Sequence, residues 1–235
     1  MIGTVIDIET TDWLKFNTDA SGWSQLSDTS EILEVGFMNI NMDTRKILTY
    51  GTLYFYKPYF NVESDAQMTH GLTRDFLMQY EGKFEENLIA LNSLIQSTCI
   101  IGKNSDTFDI PYIKAFIEKH AGDDFNIPDL VLKLDMKAYG GGKVRYNDTL
   151  YALDMQKIYK ERFHDLYYDI HKQKLAPQKR GTLSEYIDVI NHGQEAVDIV
   201  YGGMQKDRVT GAHGALYDAV MTYVVWCDAC NAGLC

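Results

Sequence analysis

The chain is poor in the features that mark several protein classes. Four cysteines in 235 residues, three of them among the last nine (Cys227, Cys230, Cys235) and the fourth at Cys99, cannot staple a fold of this size. A reduced, intracellular and cytoplasmic setting is the expected one. No apolar run approaches the roughly 20 residues that a membrane helix needs, and the N-terminus reaches Asp7 and Glu9 without a basic region or a long apolar stretch, so neither a membrane span nor a secretory signal is expected. Basic residues are outnumbered, 22 Lys and Arg against 33 Asp and Glu, for a formal charge of −11. Internal repeats and low-complexity tracts are absent. What remains is 46% hydrophobic and 23% charged, enough apolar material for one sizeable core and too much for disorder. Cys227 and Cys230 form a Cys-x-x-Cys, but they end an apolar run, Val220 to Trp226, that reads as a buried helix; packing is preferred to a zinc site, which needs four ligands.

Periodicity divides the chain. Ile2 to Ile8 is short, β-branched and apolar apart from Asp7, which suits a central strand. Glu31 to Asn41 and Ile47 to Tyr56 follow, separated by a polar turn, and complete a three-stranded meander. Leu88, Leu91, Leu94 and Ile95 have helical spacing within Phe84 to Gln96. Cys99 to Gly102 reads as a brief buried strand, and a further helix should begin near Phe108 to Ile110, because Pro111 is tolerated only in a first turn. Leu130 to Met136 is a candidate fifth strand, and a last helix should span about Leu216 to Cys230. Strands first in a meander and then alternating with helices predict an α/β fold with a mixed sheet. Lys137 to Arg180 stands apart. It opens on three glycines and holds ten Lys and Arg against five acids, a net charge of +5 that leaves −16 for the rest. It is expected to be a mainly helical insertion, at about 138–180, in a single domain over residues 1–235.

The chemistry rests on acids. Asp7 and Glu9 are two apart in a strand, so both side chains leave one face, while Ile6 and Ile8 argue that the other face is buried. Two carboxylates so close repel each other, and a cation is the usual remedy. Asp109 stands at a helix start, where an Asp taken alone is more often a cap than a ligand, and Asp106 is the competing candidate. Asp218 opens the last helix. His213, five residues earlier, can share a site with it only from the preceding loop, which Gly211 and Gly214 permit.

Taken in order, Val5-Ile6-Asp7-Ile8-Glu9-Thr10-Thr11, Asn104 to Pro111 around Phe108-Asp109, and His213-x4-Asp218 resemble the three motifs of DnaQ-like 3′→5′ exonucleases of the DEDDh type, in the ribonuclease H-like superfamily. Glu31 to Gly36 and Thr69 to Thr73 also look like that family's second strand and His-Gly-Ile/Leu-Thr turn. The likeness runs from residue 1 to about 137 and from about 181 to 230. The related tyrosine subclass carries its tyrosine four residues before the last Asp, where this chain has Gly214, so Tyr217 is read as a packing residue.

The resemblance implies a ribonuclease H-like mixed five-stranded sheet flanked by helices, and hydrolysis of phosphodiester bonds from a 3′ end with release of 5′-mononucleotides. It implies two divalent cations, Mg²⁺ or Mn²⁺, held by Asp7, Glu9, Asp109 and Asp218, whose all-oxygen donors suit hard ions. His213 becomes the general base, Thr10 and Thr11 line the terminal nucleotide, and Asn104 touches substrate or caps its helix. His70 is read as structural. The expected partners are 3′ ends of single-stranded or frayed DNA, with a polymerase or another replication or repair protein beside them and no membrane. An exoribonuclease of the ribonuclease T or oligoribonuclease kind is the alternative, since nothing in the sequence reads the sugar, and a catalytically silent DnaQ-like interaction module is another. Two departures stand out: the 138–180 insertion, and a long first-motif loop, Asp12 to Ser30, whose Trp13 and Trp23 either stack on bases or cap the core.

Overall fold

A computed structural model describes residues 1–12, 16–18, 24–26, 30–96, 99–106, 108–121, 137–139, 143–146, 149–159 and 214–234. His213, Trp13, Trp23, the Leu130–Met136 segment and residues 160–180 of the basic segment lie outside them.

The described strands are β1 (Ile2–Thr10), β2 (Phe16–Thr18), β3 (Ser24–Leu26), β4 (Ile32–Asn41), β5 (Ile47–Tyr54), β6 (Ile100–Gly102), β7 (Lys137–Tyr139), β8 (Lys143–Tyr146) and β9 (Thr149–Asp154). The helices are α1 (Ser64–His70), α2 (Arg74–Met78), α3 (Phe84–Ile95), α4 (Asp109–Ala121), α5 (Met155–Ile158) and α6 (Ala215–Asn231). The main sheet runs β5-β4-β1-β6-β9-β8-β7, and β2 with β3 forms a separate hairpin. Its first five strands make the mixed sheet of a ribonuclease H-like α/β fold: β5, β4 and β1 are an antiparallel meander, and β1, β6 and β9 are parallel. The β7–β8 hairpin extends the β9 edge antiparallel.

The fifth strand therefore lies at Thr149–Asp154. It and its hairpin fall in the first part of the basic segment, whose described residues form three strands of the sheet followed by the short helix α5. The other expected elements form where periodicity places them, α3 and α6 to within a residue at each end.

Strand pleating sends consecutive apolar residues to opposite layers. Val5, Ile101 and Leu153 pack against α6, while their neighbours Ile6, Ile100 and Ala152 pack against α3 and α4. Helix α6 is buried almost all round, and its Trp226 is 1% exposed. Tyr217 lies in the same layer as a packing residue. Cys227 is buried there too, and burial pushes its thiol up to about 12, which keeps it protonated. Among the described residues no helix is long and apolar enough to cross a membrane.

Candidate active site

The site forms where β1 and β6 end side by side. Odd-numbered residues of β1 point to the α6 layer, so Asp7 and Glu9 follow Val5 and meet the first turn of α6, which presents Asp218. Ligand oxygens of Asp7, Glu9 and Asp218 lie within 4.8 Å of one another. The close docking of α6 depends on Gly36: a Cβ there would stand 2.0 Å from the Leu216 nitrogen and 2.1 Å from the Ala215 carbonyl carbon. Beside it, buried Glu34 accepts the Ala215 N–H at 3.3 Å, occupying a donor that the helix start leaves open.

Asp109 arrives from the opposite layer, on the first residue of α4. It is 2% exposed and lines the same cleft, of about 350 Å³, as Asp7, Glu9 and Asp218. Its rival Asp106 is absent from the described lining and pairs with Lys157. The far end of α4 is pinned by buried Glu31, which receives Lys119 Nζ at 2.6 Å and His120 Nε2 at 2.5 Å. Helix α4 thus holds its direction through one ion-paired carboxylate and offers another to the cleft.

Crowding perturbs these acids. Burial and then the carboxylates of Asp218, Asp109 and Glu9 hold the Asp7 carboxyl well above the ordinary range, with Lys103 pulling the other way. Burial pushes Asp109 up to about 7, against backbone hydrogen bonds at Asp109 itself and Ile8 and the charge of Lys103. Four carboxyl groups that cannot all ionise comfortably, with three sets of oxygens converging, are the donor set a hard divalent cation needs. The residues fit such an ion.

The flanks divide the remaining expected residues. Thr10 lines the cleft, its hydroxyl donating to the Asp12 carbonyl at 2.7 Å. Thr11, expected beside it, is fully buried, and its hydroxyl accepts the Glu31 N–H at 2.9 Å, so it fastens the turn after β1 to the start of β4. The register irregularity between Glu9 and Thr10, with β1 ending at Thr10, breaks the alternation that places Asp7 and Glu9, so Thr11 turns towards β4. Asn104 lines the cleft with φ of 55°, and its N–H donates to Asp154 Oδ1 at 3.0 Å. Buried His70 accepts the Leu72 N–H through Nδ1 at 3.0 Å, the structural role read for it, while its ring and Thr69 form the α1 wall. His213 lies outside the described residues; its neighbour Gly214 is the N-cap of α6.

Two residues escaped the sequence reading. Lys103 lines the cleft among the four acids, and Asp154, fully buried at the end of β9, pins the loop that carries it. The available signal for Lys103 was its place directly after a buried strand, since α/β sheets bind ligands at the carboxyl ends of their strands.

The fold is shared with E. coli exonuclease I. Its complex with a dT13 oligonucleotide superposes with a TM-score of 0.55 at 12% identity, over 97% of this chain and 40% of that one. The zinc-bound form of its complex with single-stranded DNA gives 0.53 at 13% identity, over 98% and 40%. This chain therefore spans about 40% of the length of the exonuclease I chains. Exonuclease X in complex with 5′ overhanging duplex DNA aligns over 98% of this chain and 92% of its own, with a TM-score of 0.45, too low to bear on the fold. No protein-family model matches the chain, and no curated protein sequence does.

Proposed function

We propose that the protein is a DnaQ-like 3′→5′ exonuclease of the DEDDh type, dependent on divalent cations and acting on single-stranded or frayed DNA. The observation that carries this reading is the convergence of Asp7, Glu9 and Asp218 oxygens within 4.8 Å, with Asp109 on the same cleft, in the order and on the elements that the sequence motifs require. The bound DNA of the exonuclease I complexes supports the choice of substrate class.

Asp7, Glu9, Asp109 and Asp218 would hold two Mg²⁺ or Mn²⁺ ions. Bound there, such ions lower the pKa of water and neutralise charge on phosphoryl oxygens. The chain's own groups do the rest. His213, which directly precedes the N-cap Gly214 in sequence, would take the proton of the attacking water, because imidazole titrates near neutral pH. Water oxygen bonds to phosphorus, the bond to the 3′ oxygen of the penultimate nucleotide breaks, that oxygen takes up a proton, and a 5′-mononucleotide leaves. Thr10, rather than buried Thr11, meets the terminal nucleotide, and Asn104 and Phe108 edge the cleft where its phosphate and base would enter.

The test is degradation of 5′-end-labelled DNA and RNA oligonucleotides with Mg²⁺ or with EDTA, beside Asp7→Ala, Asp218→Ala and His213→Ala. The expected result is a ladder shortening from the 3′ end of DNA, abolished by EDTA and by either aspartate change, and slowed about 10²–10⁴-fold by His213→Ala. Faster digestion of RNA would reassign the protein to the exoribonucleases. Intact DNA and RNA would leave the silent module, and near-native turnover in Asp7→Ala would refute the site.

A further inference from the structure

Lys103 is the one lysine or arginine in the described lining of the acid cleft, and its backbone is fixed from three directions. Strand β6 runs parallel to β1 with Thr4 opposite Ile100 and Val5 opposite Ile101, and Lys103 follows directly on its last residue, Gly102, beside the part of β1 that carries Asp7. On its other side β6 pairs with β9, Gly102 opposite Asp154. The next residue, Asn104, is tied through its N–H to the same Asp154 carboxylate at 3.0 Å. Gly102 itself is packed so tightly that a Cβ would stand 2.4 Å from the Ser105 Cβ, so the loop has no slack. Burial lowers the pKa of the Lys103 ammonium, and the carboxylates of Asp218, Asp7, Asp109 and Glu9 around it pull the other way and favour its charge.

We propose that Lys103 is a resident cation of the site, which offsets part of the acid cluster's charge without divalent ions, weakens their binding when they arrive, and supplies the positive charge that receives the scissile phosphodiester. Charge balance supports this. Four carboxylates neutralise two divalent ions and leave nothing for the anionic phosphate; one ammonium beside them closes the balance. With a single divalent ion the site would stay negative and repel the substrate. The phosphodiester part rests on the nuclease reading, whereas the effect on metal binding does not.

The experiment measures Mn²⁺ binding by calorimetry at pH 7.5, melting temperature in EDTA, and oligonucleotide KM and kcat at saturating Mn²⁺, for the wild type, Lys103→Met, Lys103→Gln and Lys103→Arg. Removing one positive charge close to a divalent ion should tighten Mn²⁺ binding about tenfold in the two neutral variants, the size of a Coulomb effect at such range in a wet cleft. The melting temperature in EDTA should fall by about 2–4 °C and recover with Mn²⁺, KM for the oligonucleotide should rise, and Lys103→Arg should restore all three. A lysine that merely packs would lower the melting temperature equally with and without metal. Wild-type Mn²⁺ affinity in both Lys103→Met and Lys103→Gln would overturn the proposal, even in an active nuclease. Conversely, a wild type that cleaves no oligonucleotide yet shows the Mn²⁺ shift on neutralising Lys103 would sink the nuclease reading and leave the resident cation standing.

Discussion

Asp109 opens onto the cleft and Asp106, three residues earlier, pairs with Lys157 away from it, so amide substitutions separate their roles. Asp109→Asn should lower cleavage by about 10²–10³-fold, as loss of one electrostatic stabiliser does, whereas Asp106→Asn should cost about 1 kcal/mol of stability with little loss of rate; steady-state assays and denaturant melts of both distinguish them. The reverse ranking would move the second motif. The same carboxyls set a pH dependence. Asp109 titrates at about 7 in the folded protein and Asp7 is also raised, against an ordinary aspartate value near 4. Between those values the metal-free native state binds more protons than the unfolded chain, so its stability is greatest at low pH and declines as pH rises towards 7. Melting temperature in EDTA should therefore fall from pH 5 to pH 7.5, and Mg²⁺, which binds the ionised carboxylates, should raise it more at pH 7.5 than at pH 5. A rise over that range in EDTA would contradict the assigned crowding.

At the level of the element, the site depends on how closely α6 meets β4. Gly36→Ala would drive a methyl into the backbone of Ala215 and Leu216, which cannot yield as a flexible side chain can. The expected cost is about 3 kcal/mol or more in chemical denaturation, and any folded protein should bind Mn²⁺ more weakly, because the helix start that presents Asp218 is displaced. Wild-type stability and metal affinity in Gly36→Ala would show that the contact is not needed. Helices α3, α4 and α6 and the meander were legible as periodic apolar runs with a local signature. Strand β9 was not, because Thr149–Asp154 is a short run inside a basic, polar segment, while Leu130–Met136 has as good a local pattern; the choice of Thr149–Asp154 is made by its parallel pairing to β6, a contact some 50 residues away in the chain.

For the whole molecule, the balance of −11 is at odds with the proposed nucleic-acid enzyme only if affinity must come from many phosphate contacts. A cleft of about 350 Å³ that, on the proposed function, would grip one chain end through metals needs few. On the proposed function, the excess of basic residues between 137 and 180 would be the place for longer strands. Neutralising Lys172, Lys174, Lys179 and Arg180 should weaken binding of long oligonucleotides and flatten its salt dependence, with dinucleotide cleavage nearly unchanged. Fluorescence titration over a range of salt concentrations checks this, and an unaltered salt slope would assign the segment to protein contacts or scaffolding.

The sequence by itself determined that the protein is an α/β fold and singled out the four acids that line one cleft. Burial periodicity is local, and Asp7, Glu9, Asp109 and Asp218 stand in a fixed order beside residues that form strand ends and helix starts. Only the tertiary structure decided which side chains share the cleft. Thr10 and Thr11 are adjacent and chemically alike, yet the irregularity that ends β1 leaves one in the cleft and buries the other against the start of β4. Lys103 carries no motif of its own and becomes part of the site because β6 lies beside β1. Such placements depend on strand order and register, which arise from contacts between residues far apart in the chain, and no local pattern encodes them.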